Sequence, residues 1–333
     1  MVTLMHLGLG PLGQKIVRYA RERGMHYAAA VDPDPAKAGR DLGELCGLSK
    51  LGVTISGTLD EALAGRRLPS PAVALVTTVS SLARIEPQVA ALARAGVHTV
   101  STCEELVYPW RTNPEIAGRI DRLCKEHGVA CLGTGVNPGF MMDWLPIAVT
   151  GVCQRVDGIT ISRVQDASVR RVPFQQKIGA GLDLEGFRLK QEEGILRHVG
   201  LRESIDLISS RLGWRLDRTA ETLEPVIADR DLSSGHVPIG AGMARGVHQV
   251  ARAYRDGREV ITLDFLAAVG EPASYDRIRI AGEPTLDLRF EGGVNGDVAT
   301  CALALNAIRS VLSCGPGLKT MCDVPTVSFF QDG

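Results

Sequence analysis

A strand that runs straight into a glycine turn and then a helix restricts this chain more than any other feature. Met5-His6-Leu7 leads into Gly8-Leu9-Gly10-Pro11-Leu12-Gly13, and a helical pattern follows from Gln14 to Arg23. Each glycine of G-x-G-x-x-G has a physical reason. Gly8 permits the tight turn, Gly10 lets the backbone approach a pyrophosphate, and Gly13 lets the helix pack on the strand. The diphosphate would rest on the N–H groups of the helix start, which Pro11 and Leu12 open. A second apolar strand, Tyr27 to Val31, ends in Asp32, nineteen positions after Gly13, where a partner for a ribose 2′-hydroxyl is expected. Glycine is common here, 37 of 333 residues, so the strand, the helix and the acid carry the reading together. They predict a dinucleotide site built from Gly8, Gly10, Pro11, Leu12, Gly13 and Asp32. The acid favours NAD, because its charge repels a 2′-phosphate. Lys37 and Arg40 close behind it leave NADP open.

A net charge of −1 with 23% charged residues gives neither sign the upper hand, which argues against a nucleic-acid surface. No stretch is apolar for long enough to span a bilayer. Met1-Val2-Thr3-Leu4 enters a strand directly and lacks the regions of a signal peptide. A cytoplasmic enzyme is expected. The eight cysteines show no C-x-x-C and no paired spacing, so buried thiols are expected rather than a metal site.

Strands and helices alternate through residue 135. Strands are expected at Thr3–Leu7, Tyr27–Val31, Thr54–Ile55, Ala72–Thr77, Val97–Ser101 and Val129–Leu132. Helices are expected at Asp60–Ala64, Ile85–Ala95 and Pro114–Glu126. This is the pattern of a Rossmann doubly wound parallel sheet. Beyond Gly139 the spacing lengthens. Arg155–Val164 reads as a long strand and Glu185–Gly213 as helical. Glu259–Val269, Tyr275–Ile280 and Thr285–Phe290 read as successive antiparallel strands. Asp297–Leu312 is a strong apolar helix. The expectation is an α/β chain: a nucleotide-binding domain at 1–137, to which 297–333 returns, and an α+β substrate and dimerisation domain at 138–296 with a mainly antiparallel open sheet.

In doubly wound sheets ligands bind beyond the carboxyl ends of the strands. Three loops there carry chemistry besides the glycine turn. Thr77-Thr78-Val79-Ser80-Ser81 offers hydroxyls that line the cofactor or cap a helix. Ser101-Thr102-Cys103-Glu104-Glu105-Leu106 places two adjacent carboxylates at a strand end. In an extended segment successive side chains point opposite ways, so one of Glu104 and Glu105 would face a substrate and act as acid or base. The other reading makes both favour the first turn of a helix capped by Ser101 or Thr102. Gly133-Thr134-Gly135-Val136-Asn137-Pro138-Gly139 fixes an unusual backbone. There Asn137 could bond a carboxamide, and Phe140, Met141, Met142 and Trp144 could wall an apolar pocket or serve as core.

Taken together, these loops resemble the 2,4-diaminopentanoate dehydrogenase and native amine dehydrogenase family. The matching runs are Gly8 to Gly13, Val31-Asp32-Pro33-Asp34-Pro35 with Gly39-Arg40-Asp41-Leu42-Gly43, Ser101 to Leu106, and Gly133 to Phe140. The tail agrees, with Asn306-Ala307-Ile308, Gly315-Pro316-Gly317-Leu318 and Asp323-Val324-Pro325. The group is distantly similar to dihydrodipicolinate reductases, whose histidine pair with a nearby lysine is absent here. It also lacks the Glu-Lys-Pro of sugar oxidoreductases, and Glu105 takes the place of that lysine. The resemblance implies a reversible, NAD(P)-dependent oxidation of a primary amine to a ketone or aldehyde with release of ammonia. The open sheet, with a large face to cover, leads us to expect a homodimer, and Thr102 and Asn306 are expected beside Thr77, Thr78 and Asn137 on the cofactor. A carboxylate suits that chemistry: Glu105 would take a proton from ammonium and stabilise an iminium cation, which a lysine would repel. The alternative is an imine or carbonyl reductase that exchanges no ammonia. No pair of arginines that would bind a substrate carboxylate is evident near these loops, although Arg163, Arg170, Arg171 and Arg188 follow.

Overall fold

The computed structural model describes residues 2–64, 68–234 and 237–331. It divides into two compact units, Met1–Phe140 with Gly296–Gly333, and Met141–Asn295. In the first unit β1 (Thr3–Leu7), α1 (Pro11–Glu22), β2 (His26–Val31), α2 (Leu42–Leu45), β3 (Ile55–Ser56), α3 (Leu59–Leu63), β4 (Ala72–Val76), α4 (Leu82–Arg94), β5 (His98–Ser101), α5 (Pro114–Glu126) and β6 (Ala130–Gly133) alternate. β4 is buried along its whole length, as a strand covered on both faces must be. α1 turns Gly13, Ile16, Val17 and Ala20 inward at helical spacing. α5 opens on Pro114, whose missing N–H has no helical partner to lose.

The second unit contains α6 (Trp144–Val149), β7 (Arg155–Asp166), α7 (Val172–Lys177), α8 (Leu184–Glu192), α9 (Leu201–Arg211), β8 (Arg218–Ile227), β9 (Leu232–Ser233), β10 (Pro238–Ile239), β11 (Ala244–Arg255), β12 (Arg258–Ala268), β13 (Tyr275–Glu283) and β14 (Leu286–Glu291). The chain then returns to the first unit as α10 (Gly296–Ser313) and β15 (Gly317–Lys319).

Among the described residues the first unit holds a seven-stranded sheet in the order β15-β6-β5-β4-β1-β2-β3, with every pairing parallel. This is the Rossmann arrangement, and its order reverses between β4 and β1. The second unit has a six-stranded sheet, β14-β13-β7-β12-β11-β8, parallel only between β12 and β7. Its core joins Ile159 and Ile161 of β7 to Leu201, Ile205 and Ile208 of α9 and to Ile278 and Ile280 of β13. No helix among the described residues is long and apolar enough to cross a membrane.

Several expected elements differ. β12 and β13 run in opposite directions but are not neighbours, because β7 lies between them. Asp166, at the end of β7, holds the connection: its Oδ1 accepts from the Gly270 N–H, and its own N–H donates to Ser274 Oγ. The helical stretch 185–213 is two helices, separated by a segment in which Gly194 and Gly200 take φ of 70° and 113°. β8 and β11 carried no readable signal. β8 is mostly exposed and so shows no apolar alternation. β15 is three residues long and acquires strand geometry only by pairing with β6.

Candidate functional site

The glycine turn leaves β1 at the point where the sheet order reverses. Gly8 has φ of 88°, and a Cβ there would stand 2.8 Å from the Thr77 carbonyl oxygen. A Cβ on Gly13 would lie 2.0 Å from the Gly8 oxygen, so the helix approaches the turn only because Gly13 has no side chain. Around Gly10 the space is open, with nothing within 4 Å of a Cβ. The start of α1 has no side-chain cap. A crowded turn beneath an open, uncapped helix start fits a diphosphate. Thr77 lies beneath it: its hydroxyl donates to Gly8 O at 2.7 Å. His6 Nε2 lies 3.3 Å from Thr77 Oγ1, within hydrogen-bond reach. His6 is fully buried, and burial lowers its pKa to about 4 against the raising effect of its bond to Gly8 and the charge of Asp32. It is a neutral prop under the turn. No local signal in the sequence separates such a prop from an ordinary core histidine.

Asp32 joins this turn to the next loop. Its Oδ2 accepts from the Leu9 N–H at 2.7 Å and from Lys37 Nζ at 3.1 Å, and its Oδ1 accepts from the Asp34 N–H at 3.0 Å. Behind it, one carboxylate organises the loop to β3. Asp41 accepts five backbone N–H bonds, from Gly43, Glu44, Leu51, Gly52 and Val53. Burial pushes the Asp41 pKa up, but these N–H groups outweigh it and hold the carboxyl below its ordinary value.

Glu104–Leu106 is a single turn of 3₁₀ helix, so the alternation expected for Glu104 and Glu105 in an extended segment does not apply. About 120° of rotation per residue separates the two side chains instead. Glu105 Oε2 accepts from the Leu82 N–H at 2.7 Å, the first amide of α4, whose Ser81 provides no side-chain cap. This pins one oxygen of Glu105 at a helix N-terminus. Its Oε1 makes no hydrogen bond among the described residues. The turn fits against β6 because residue 133 is glycine, where a Cβ would stand 2.7 Å from the Leu106 backbone. Gly139 has φ of 120° and packs on Gly135, and the Asn137–Pro138 bond is cis. The Val136 N–H donates to Thr300 Oγ1 of α10.

The glycine turn, Asp32, Thr77, Thr102, Glu104, Glu105, Asn137 and Phe140 all belong to the first unit, on the segments that follow β1, β2, β4, β5 and β6. Thr102 donates its N–H to Val76 O, and Asn137 is buried. Thr78 donates its hydroxyl to Gln88 Oε1 of α4. Asn306 Oδ1 accepts from Arg23 Nη1 at 2.6 Å, at the C-terminal end of α1. Met142 is fully buried in the core of the second unit with Ile159, Ile205 and Ile278, as the core alternative expects. Met141 is buried as well, and Trp144 starts α6, where its N–H donates to Asp143 Oδ1.

Three comparisons give this geometry a lineage. Residues 140–332 match the 2,4-diaminopentanoate dehydrogenase C-terminal domain family. A 2,4-diaminopentanoate dehydrogenase of Acetoanaerobium sticklandii is 36% identical over 236 residues, covering 69% of this chain and 67% of that protein. An amine dehydrogenase of Streptomyces virginiae is 23% identical over 98% of this chain and 96% of its own length. The solved structure of an amine dehydrogenase from Mycobacterium smegmatis shares the fold at a TM-score of 0.87 and 22% identity, covering 100% of this chain and 98% of that one. The chain belongs to the 2,4-diaminopentanoate dehydrogenase family of oxidoreductases.

Proposed function

We propose that this chain is a nicotinamide-dependent amine dehydrogenase, oxidising a primary amine to a ketone or aldehyde with release of ammonia and running in reverse as a reductive aminase. The observation that carries the proposal is Glu105, with one oxygen fixed on the Leu82 N–H and the other open, on the segment after β5. The relatives named for amine oxidation support the substrate class. The glycine turn and the start of α1 would hold the diphosphate, and Asp32 the ribose. The cofactor supplies hydride transfer. In the aminating direction Glu105 takes a proton from ammonium, delivers neutral ammonia to the carbonyl, assists the loss of water and stabilises the iminium cation. In the oxidative direction it activates the water that hydrolyses the imine. Pinning by a backbone amide keeps the carboxylate in one orientation through both steps.

A 2,4-diaminopentanoate-like or simple alkyl amine is the proposed substrate. Arg163, a candidate for a substrate carboxylate, already pairs with buried Asp276 at 2.7 Å, so the carboxylate of a 2,4-diaminopentanoate-like substrate would be held by other groups. Eight cysteines with no disulfide, and a diffusible cofactor, support a cytoplasmic enzyme. The open sheet of the second unit supports a homodimer. The test is NAD reduction with a panel of primary amines, with ammonia measured in the products. Equimolar ammonia and NADH support the reading, and NADH formed without ammonia refutes it.

A further inference from the structure

A single peptide plane joins the glycine turn to the acid after β2. A trans peptide holds its C=O and its N–H on opposite edges of one rigid plane. In the unit between Gly8 and Leu9 both edges are held. The Leu9 N–H donates to Asp32 Oδ2 at 2.7 Å. The Gly8 oxygen accepts from the Thr77 hydroxyl at 2.7 Å. That hydroxyl has one hydrogen, and Leu7 O stands farther off, at 3.3 Å. Asp32 is itself fixed, since its Oδ1 accepts from the Asp34 N–H and its side chain is 7% exposed. Thr77 is fixed as well, with its N–H on Leu7 O and His6 Nε2 3.3 Å from its Oγ1. The same plane lies under α1: a Cβ on Gly13 would stand 2.0 Å from Gly8 O and 2.8 Å from both Thr77 Oγ1 and His6 Nε2.

A bond at one edge alone leaves such a plane free to tip about it. Two opposed bonds set the direction in which Leu9 and Gly10 leave the turn, and with it where the amides at the start of α1 face. We propose that Thr77 is a positioning residue for the dinucleotide: together with Asp32 it locks the Gly8–Leu9 peptide, so that the diphosphate cradle and the ribose acid work as one unit. The Thr77 hydroxyl commits its hydrogen to the backbone and acts through Gly8, without touching the cofactor. The inference rests on the dinucleotide reading of the glycine turn and Asp32.

Calorimetric titration of the full chain without substrate tests it. ADP-ribose is the first probe, because it carries the diphosphate and the adenosine but no nicotinamide, and NADH is the second. Thr77→Val removes the hydroxyl and keeps the branched shape, and is expected to weaken both ligands by the same factor, about tenfold. Thr77→Ser keeps the hydroxyl and is expected to stay within ~3-fold of the wild type. Coupling to Asp32 is the decisive readout. In an Asp32→Ala background the plane is already loose, so adding Thr77→Val is expected to cost less than ~3-fold for ADP-ribose. The Leu9 amide is expected to exchange its hydrogen faster in Thr77→Val than in the wild type. Thr77→Ala takes the place of Thr77→Val in the same cycle should the latter not fold. An equal loss in both backgrounds, a loss in Thr77→Ser as large as in Thr77→Val, or a loss for NADH with none for ADP-ribose overturns the inference and leaves the dinucleotide reading standing. A wild type that binds neither ligand overturns the dinucleotide reading and this inference with it.

Discussion

At the scale of single residues, the proposed proton-carrying role belongs to Glu105 and not to its neighbour Glu104. Glutamine at 105 keeps an amide oxygen for the Leu82 N–H and removes only the group that carries a proton. Glu105→Gln is therefore expected to lower kcat by ~10²–10⁴-fold and to leave the cofactor dissociation constant unchanged. Glu104→Gln is expected to cost less than about tenfold in steady-state assays. The reverse ranking would assign the proton to Glu104. The acids were legible from Ser101-Thr102-Cys103-Glu104-Glu105, because paired carboxylates at a strand end are conspicuous. Their geometry was not. The 3₁₀ turn depends on Gly133, 27 residues beyond Leu106 in sequence, leaving room for Leu106. The contact between Asn306 and Arg23 was not legible for a related reason, since the two residues lie far apart in sequence.

Among the elements, the glycine turn and the loop to β3 fail in distinct ways. Gly13→Ala puts a methyl 2.0 Å from the Gly8 oxygen, so α1 must move off β1 and cofactor binding is lost in a titration. Asp41→Asn keeps one acceptor oxygen and replaces the other by a donor that faces the Gly52 and Val53 N–H groups. It is expected to lower unfolding stability by about 2–3 kcal/mol in urea titrations and to speed hydrogen exchange at those amides. Wild-type protection at Gly52 and Val53 in that variant would contradict the role. The elements of the parallel sheet were readable because each strand is a short apolar run bounded by a turn. Those of the second unit were harder. A strand such as β8, exposed over most of its length, shows no alternation, and the insertion of β7 between β12 and β13 is a matter of pairing that no local pattern encodes. The same holds for β15.

For the molecule as a whole, His6 couples stability to pH. Its pKa is about 4 in the folded chain, below the ordinary 6.5, so the unfolded chain binds the extra proton first. The stability this contributes is complete above pH 6.5 and is lost as pH falls through about 4. Between pH 7 and pH 5 the loss is about 2 kcal/mol, which urea unfolding at the two values would show and which His6→Gln would remove. An equal loss in that variant would place the acid sensitivity elsewhere. The proposed reaction turns on nitrogen: the same fold could also serve reduction of a carbonyl or an imine with no ammonia exchanged. The most direct measurement is NADH consumption with a ketone or aldehyde, with and without ammonium. Turnover that requires ammonium and yields the primary amine is the predicted result. Equal turnover without ammonium, yielding an alcohol, would contradict it.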